Sequence, residues 1–120
     1  MTTTDQCCTI VPYFKVAEGN LDAFKSLCRQ AVDRTTGEPG CLYYGFSFNG
    51  DEAFCREGYT NAETALAHLE NVGPVLQEML KVTEITRLEV HGPADEISKM
   101  REPMAALNPT FFTLEYGFRR

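Results

Sequence analysis

Two histidines are the only side chains of this 120-residue chain that ordinarily titrate near neutrality, and one of them lies where a site could be built. His68 follows Ala62, Ala65 and Leu66 and precedes Leu69. On a helix it falls at the border of that apolar stripe, where an imidazole can point into a space between helix and sheet. There it would serve as a base or as a hydrogen-bond donor. The plainer alternative is a boundary histidine satisfied by a backbone carbonyl. His91, just before Gly92, reads as a strand-end residue. Other chemistries lack their motifs: there is no phosphate-cradling Gly-rich loop, no His-Glu-x-x-His or paired-Cys ligand set, and no Gly-x-Ser-x-Gly elbow. Five cysteines without Cys-x-x-Cys spacing fit free thiols in a reducing cytosol better than a disulfide framework. The vicinal pair Cys7-Cys8 reads as small residues entering a strand, because no neighbour in sequence would lower a thiol pKa.

The elements that must position His68 belong to one domain of modest core, with 43% hydrophobic residues. Burying further surface in a homodimer would help such a chain. A net charge of -6 argues against nucleic acid and anionic membrane, which need a concentrated positive patch. The expected ligand is small, and neutral or weakly acidic. Met1 to Cys7 has neither the basic start nor the apolar stretch of a signal peptide, and no run approaches membrane-spanning length, so the expected location is cytoplasmic.

Cys8 to Val16 reads as a strand in which Pro12 marks an edge position or a bulge. Asn20 and Asp22 open a helix whose Leu21, Phe24, Leu27, Cys28, Ala31 and Val32 recur at three and four. Glu38-Pro39-Gly40-Cys41 suits a type II turn. A strand from Cys41 to Phe48, the hairpin signal Asn49-Gly50, and a returning strand from Ala53 to Tyr59 follow. Asn61 caps the second helix, Gly73-Pro74 interrupts it, and Val75 to Leu80 continue as another helical stretch. Glu84 to His91 forms the fourth strand. The order is that of a ferredoxin-like β-α-β-β-α-β fold with an antiparallel sheet, α+β in class, whose second sheet face is left partly apolar. Beyond Gly92-Pro93, Ala94 to Met104 looks helical and Thr110 to Phe118 reads as a strand, added to its own sheet or reaching across a dimer.

One run gathers these pieces: Glu38-Pro39-Gly40-Cys41-Leu42-Tyr43-Tyr44, then Phe54, Glu57-Gly58-Tyr59, and Ala62-Glu63-Thr64-Ala65-Leu66-Ala67-His68. It resembles the antibiotic biosynthesis monooxygenase family, in which a helix ends at a Glu-x-Gly-Cys type turn, the second of two strands closes on Glu-x-Trp or Glu-x-Tyr, and an Ala-rich helix carries an inward-leaning His. The resemblance spans residues 8 to 90, and the ordered set carries it rather than any single piece. It implies a dimeric α+β barrel in which two sheets associate face to face. It also implies oxidation or oxygenation of a small phenol, anthrone or quinol by O2 without flavin, haem or metal. The protein's task is then to exclude water, orient the ring and favour the deprotonated substrate.

For that chemistry His68 is the expected base or donor. Tyr59, matched to the family's aromatic position, is its expected companion. Phe14, Tyr43, Tyr44, Phe46 and Phe54 would line the walls, and Arg56 or Arg87 would offset negative charge. Alternating strand aromatics equally serve as core or dimer interface, the arginines as ion-pair residues, and Glu57 as a strand-fixing acid. The haem-degrading branch of the superfamily uses a Trp that this chain lacks. Two further readings stand beside the oxygenase: a non-catalytic, small-ligand-binding or stress-responsive barrel, and an isomerase that transfers protons without oxygen.

Overall fold

The first strand, β1 (Cys8–Val16), alternates buried Cys8, Ile10, Pro12, Phe14 and Val16 with more exposed Thr9, Val11, Tyr13 and Lys15. One sheet face is thereby committed to the core. The computed structural model describes residues 4–120. After β1 come α1 (Leu21–Thr35), the hairpin β2 (Cys41–Asn49) and β3 (Glu52–Tyr59), α2 (Ala62–Met79), β4 (Thr83–Gly92), α3 (Ala94–Met100) and β5 (Thr110–Thr113). The strands form one open five-stranded sheet in the order β2-β3-β1-β4-β5. All neighbours are antiparallel except β4 and β5, which run parallel. This is the α+β, ferredoxin-like arrangement that the sequence predicts, with an added helix and strand. No helix among the described residues is long and apolar enough to cross a membrane.

Four local expectations need correction. Pro12 lies in a central strand rather than at an edge; the bulge alternative holds instead. The β1–β3 pairing stops at Ile10 and resumes at Tyr13, and the β1–β4 register shifts between Tyr13 and Phe14, so the missing N–H falls where the ladder is already irregular. Gly73-Pro74 does not break α2. Buried Val72, Val75 and Met79 continue the stripe of Ala65 and His68, and their packing holds both halves on the sheet despite about 3 kcal/mol for an interior proline.

The turn before β2 is closed by the Cys41 N–H donating to the Glu38 carbonyl at 3.3 Å, but Gly40 has no positive φ, so it is not type II. Glycine is required there for close approach: a Cβ would lie 2.3 Å from Cγ2 of Thr64 in the first turn of α2. The C-terminal elements are also shorter than expected. Pro103 cannot extend α3, and the chain continues through turns to a 3₁₀ turn at Ala105–Leu107. β5 pairs only as far as Gly92 because β4 is followed by Pro93, which has no N–H to offer. One further bond, from the Leu114 N–H to the Gly92 carbonyl at 2.7 Å, ends the contact. The extension therefore joins its own sheet.

Two packed clusters fill the space beneath the helices. One gathers Phe14, Val16, Phe24, Cys28, Ala31, Ala53, Val75 and Met79. The other combines Cys8, Ile10, Tyr59, Ala62, Ala65 and Val90 with Ile97, Met100 and Met104 of the extension. Buried Glu96 of α3 accepts the Ala62 N–H at 2.8 Å, supplementing the capping box that Asn61 and Thr64 make at the start of α2. Lys99 pairs with Glu96 at 3.0 Å and with Glu63 at 3.1 Å. The extension is thus tied to the helix that carries His68.

Candidate active site

Strand parity puts Cys55, Glu57 and Tyr59 of β3 on the core face, opposite Tyr44 and Phe46 of β2. α2 turns His68 toward the same space, where it is 1% exposed. The Gly40 turn brings Glu38 up from the other side. His68 Nδ1 lies 2.9 Å from Oε2 of Glu38 and 3.1 Å from its Oε1. His68 Nε2 lies 3.3 Å from Oε1 of Glu57. The Tyr59 hydroxyl donates to that same Glu57 oxygen at 2.6 Å. Asn71, three residues beyond His68, donates from Nδ2 to Glu38 at 2.8 Å and to the Arg34 carbonyl at 3.1 Å, tying α2 to the end of α1. The rings of Tyr44 and Tyr59 flank the imidazole, with centroids 5.0 and 4.9 Å away.

Burial alone would strip the proton from His68, yet Glu57 and Glu38 outweigh it and raise its pKa above the ordinary imidazole value. The two neighbouring glutamates thus favour the protonated imidazole over the neutral one. Burial first, and then the Glu57 carboxylate, push the Tyr59 hydroxyl far above the usual phenol range. Burial does the same to Tyr44. Both phenols keep their protons, and Tyr59 donates its own to Glu57.

Glu57 and His68 form the polar end of a cavity that is otherwise apolar, walled by Ile10, Phe14, Phe46, Val72, Met79 and Met104 among others. The room it encloses is small, about 50 Å³ for the centre of a water-sized molecule. Tyr44 and Cys55 also line it, as does Leu107 of the extension. Such a pocket suits a small, mainly apolar molecule with one polar group. The arrangement supplies an acid, His68, beside a carboxylate base, Glu57, in a water-poor setting where proton transfer is strongly coupled to charge. Among the described residues no three His, Cys, Asp or Glu side chains form a metal-holding group. Here the carboxylates occupy opposite edges of the imidazole.

The structure brings His68, Tyr59, Phe14, Tyr44 and Phe46 together around this cavity, Tyr59 through its bond to Glu57. It separates Tyr43, Phe54, Arg56 and Arg87 from them. These four alternate with the inward residues and so occupy the opposite sheet face. Tyr43 lies over Gly58, where a Cβ would meet its ring at 2.4 Å, and Arg56 lies 5.5 Å from the same ring. Phe54 packs on Tyr13 at 5.0 Å, and Arg87 pairs with Glu89 of its own strand. His91 bonds Glu89 at 2.8 Å and stacks on Phe112.

Glu38 and Asn71 are partners that the sequence reading did not assign. Asn71 carries a signal, its i,i+3 spacing from His68 on one helix face. Glu38 carries none, because 30 residues separate it from His68. The cysteines stay free. Burial pushes Cys8 and Cys28 up to about 12 and Cys41 to about 11, so these thiols are poor nucleophiles.

Known proteins with this geometry agree with the fold. MupZ from Pseudomonas fluorescens is 46% identical, with 96% of this chain and 95% of that chain covered and a TM-score of 0.91. Rv0793 from Mycobacterium tuberculosis is 20% identical over 75% of this chain and 97% of that one, with a TM-score of 0.65. A Nitrosomonas europaea protein, provisionally called an antibiotic biosynthesis monooxygenase, is 16% identical over 78% and 96%, with a TM-score of 0.69. No curated protein sequence gives a significant match. The family model for antibiotic biosynthesis monooxygenases matches residues 8–73, the stretch from β1 through the first two thirds of α2 that carries Glu38, Glu57, Tyr59 and His68. By that match, over more than half its length, the chain belongs to the antibiotic biosynthesis monooxygenase family.

Proposed function

We propose that this protein is a cofactor-independent monooxygenase or oxidase that takes a small phenol or quinol into the cavity and lets its anion react with O2. The observation that carries this reading is the Glu57–His68 pair at the polar end of an apolar cavity. Glu57 takes the hydroxyl proton of the substrate, and the imidazolium beside it offsets the negative charge that appears on the ring oxygen. Phe14, Tyr44 and Phe46 hold the ring. Family membership supports the oxygen chemistry in this reading. The same reading includes a homodimer formed through the outer sheet face, where Tyr13, Tyr43 and Phe112 are each more than a third exposed.

A second reading is favoured by one feature: the site holds a protonated acid and a carboxylate base side by side. That combination suits an isomerase-type proton transfer that uses no oxygen. Oxygen uptake by the purified protein, with hydroquinones, naphthols and anthrones, tests both. The comparison includes His68→Ala and a protein-free blank. Uptake above the blank and lost in the variant supports the oxygenase. Substrate turnover that persists without oxygen replaces it with proton transfer. Binding without turnover would leave a ligand-binding barrel.

A further inference from the structure

Each nitrogen of the His68 ring faces an acidic side chain, and the two are not equivalent. Nε2 lies 3.3 Å from one oxygen of Glu57, on the cavity side. Nδ1 lies 2.9 and 3.1 Å from the two oxygens of Glu38, which lines a separate surface depression with Thr35 and Cys41. Glu38 is itself held in place. Asn71 Nδ2 donates to its Oε2 at 2.8 Å and to the Arg34 carbonyl at 3.1 Å, while Arg34 Nη1 donates to the Asn71 carbonyl at 2.9 Å. The end of α1, the turn before β2 and α2 are thus braced around one carboxylate. The other groups facing the ring are the protonated phenols of Tyr59 on β3 and Tyr44 on β2.

We propose that Glu38 is a positioning residue that keeps His68 a cation through the step in which Glu57 becomes neutral. This rests on the acid–base reading of Glu57 and His68. In that step the O–H bond of the substrate breaks, its electron pair stays on oxygen, and the proton forms a new O–H bond on Glu57. The buried charge is the same before and after, since one carboxylate is lost and one substrate anion is gained. What changes is the partner of Nε2–H, which exchanges the Glu57 carboxylate for the substrate anion. A buried imidazolium beside a phenolate can cancel both charges by returning its proton to the oxygen, and that would undo the step. Glu38 opposes the return, because a negative charge within hydrogen-bond reach of Nδ1 favours the charged ring. The proton then stays on Nε2, and the anion keeps a charged donor beside it while it meets O2. Glu38 neither gives nor takes a proton, and both ring protons of His68 stay where they are. Its Asn71 brace keeps the carboxylate on Nδ1 and so fixes which nitrogen faces the cavity.

Titration of the His68 ring tests this without substrate. The full chain carries ¹⁵N-labelled histidine, His91→Asn assigns the other imidazole, and the ¹⁵N shifts read the charge of the ring against pH. Glu57→Gln stands in for the protonated glutamate. In that variant the His68 midpoint should be no lower than the ordinary imidazole value of ~6.5, although burial opposes the charge. Adding Glu38→Gln should lower the midpoint by about 1–3 pH units, and adding Glu38→Asp, which keeps a carboxylate, should lower it less. A midpoint below ~6.5 in Glu57→Gln, or one that Glu38→Gln leaves unmoved, overturns the proposal. Where Glu57→Gln fails to fold, Glu38→Gln alone decides, by the same fall in midpoint or its absence. A ring held charged by Glu38 in a protein that turns over no phenol would sink the functional reading and leave the hold on His68 standing. Oxygen uptake by a protein whose midpoint ignores Glu38→Gln would do the reverse.

Discussion

Replacing His68 by alanine removes a cation that two carboxylates share inside the fold. Breaking a buried ion pair from one side costs about 3–5 kcal/mol, because the surviving charge has lost its counter-ion. Here the loss falls toward the lower end, about 3–4 kcal/mol. Glu57 keeps the Tyr59 hydroxyl at 2.6 Å, and Glu38 keeps Asn71 at 2.8 Å and is partly exposed. A domain of 120 residues is expected to have about 6–18 kcal/mol in all, so the variant stays folded with reduced stability. The dependence on pH is more telling than the size. His68 binds its proton more tightly in the folded chain than in the unfolded one. Its charge-dependent contribution is therefore complete below the unfolded imidazole value of ~6.5 and drains away as pH rises through the higher folded value. Urea unfolding under reducing conditions should give the full difference below pH ~6.5, shrinking as the pH is raised through the folded value toward the cost of the unfilled space alone. A difference that is flat, or that grows with pH, would refute the argument that the carboxylates hold His68 charged.

Three further outcomes follow from other contacts. Tyr59→Phe deletes a buried hydroxyl bonded to a carboxylate and should lower stability by about 1.5–3 kcal/mol in denaturant titration, with the cavity walls unchanged. Gly40→Ala drives a Cβ to 2.3 Å from Thr64 and should cost about 1–3 kcal/mol while moving Glu38; a lowered melting temperature together with a shifted His68 ring signal is the expected pair of readouts. Glu96→Ala leaves the Ala62 N–H buried without its acceptor and Lys99 without its nearest partner. It should cost about 1–3 kcal/mol, and amide exchange should rise first at the start of α2.

The pieces legible in the sequence were those that depend on neighbours along the chain. Residue types placed β1, the Asn49-Gly50 pair placed the hairpin, and helical spacing placed α1 and the lean of His68 toward the core, since each depends only on neighbours in the chain. Which aromatic residues share the cavity was not legible. Tyr43 and Tyr44 are adjacent and chemically alike, and only the register with Gly58 and Glu57 sends one outward and the other in. Glu38 was quoted as part of a turn signature, and its bond to His68 depends on how α1 and α2 lie together. Gly40 was read as a backbone requirement when it is a packing one, a distinction that only the position of Thr64 makes. The Phe112, Leu114, Tyr116 and Phe118 alternation pointed to a strand through 118, but pairing ends at Thr113, where the neighbouring chain turns away at Pro93.

The wall that Met104 and Leu107 add to the cavity, and the Glu96 cap on α2, also bear on how the protein is made. A ribosome delivers β1 through β4 before any of these residues. Until they dock, the apolar hollow is uncovered on that side and the start of α2 lacks one of its acceptors. Docking of α3 and the turns after it closes both at once. The interval before that segment arrives is when this chain has most apolar surface to lose to another molecule and most need of a chaperone.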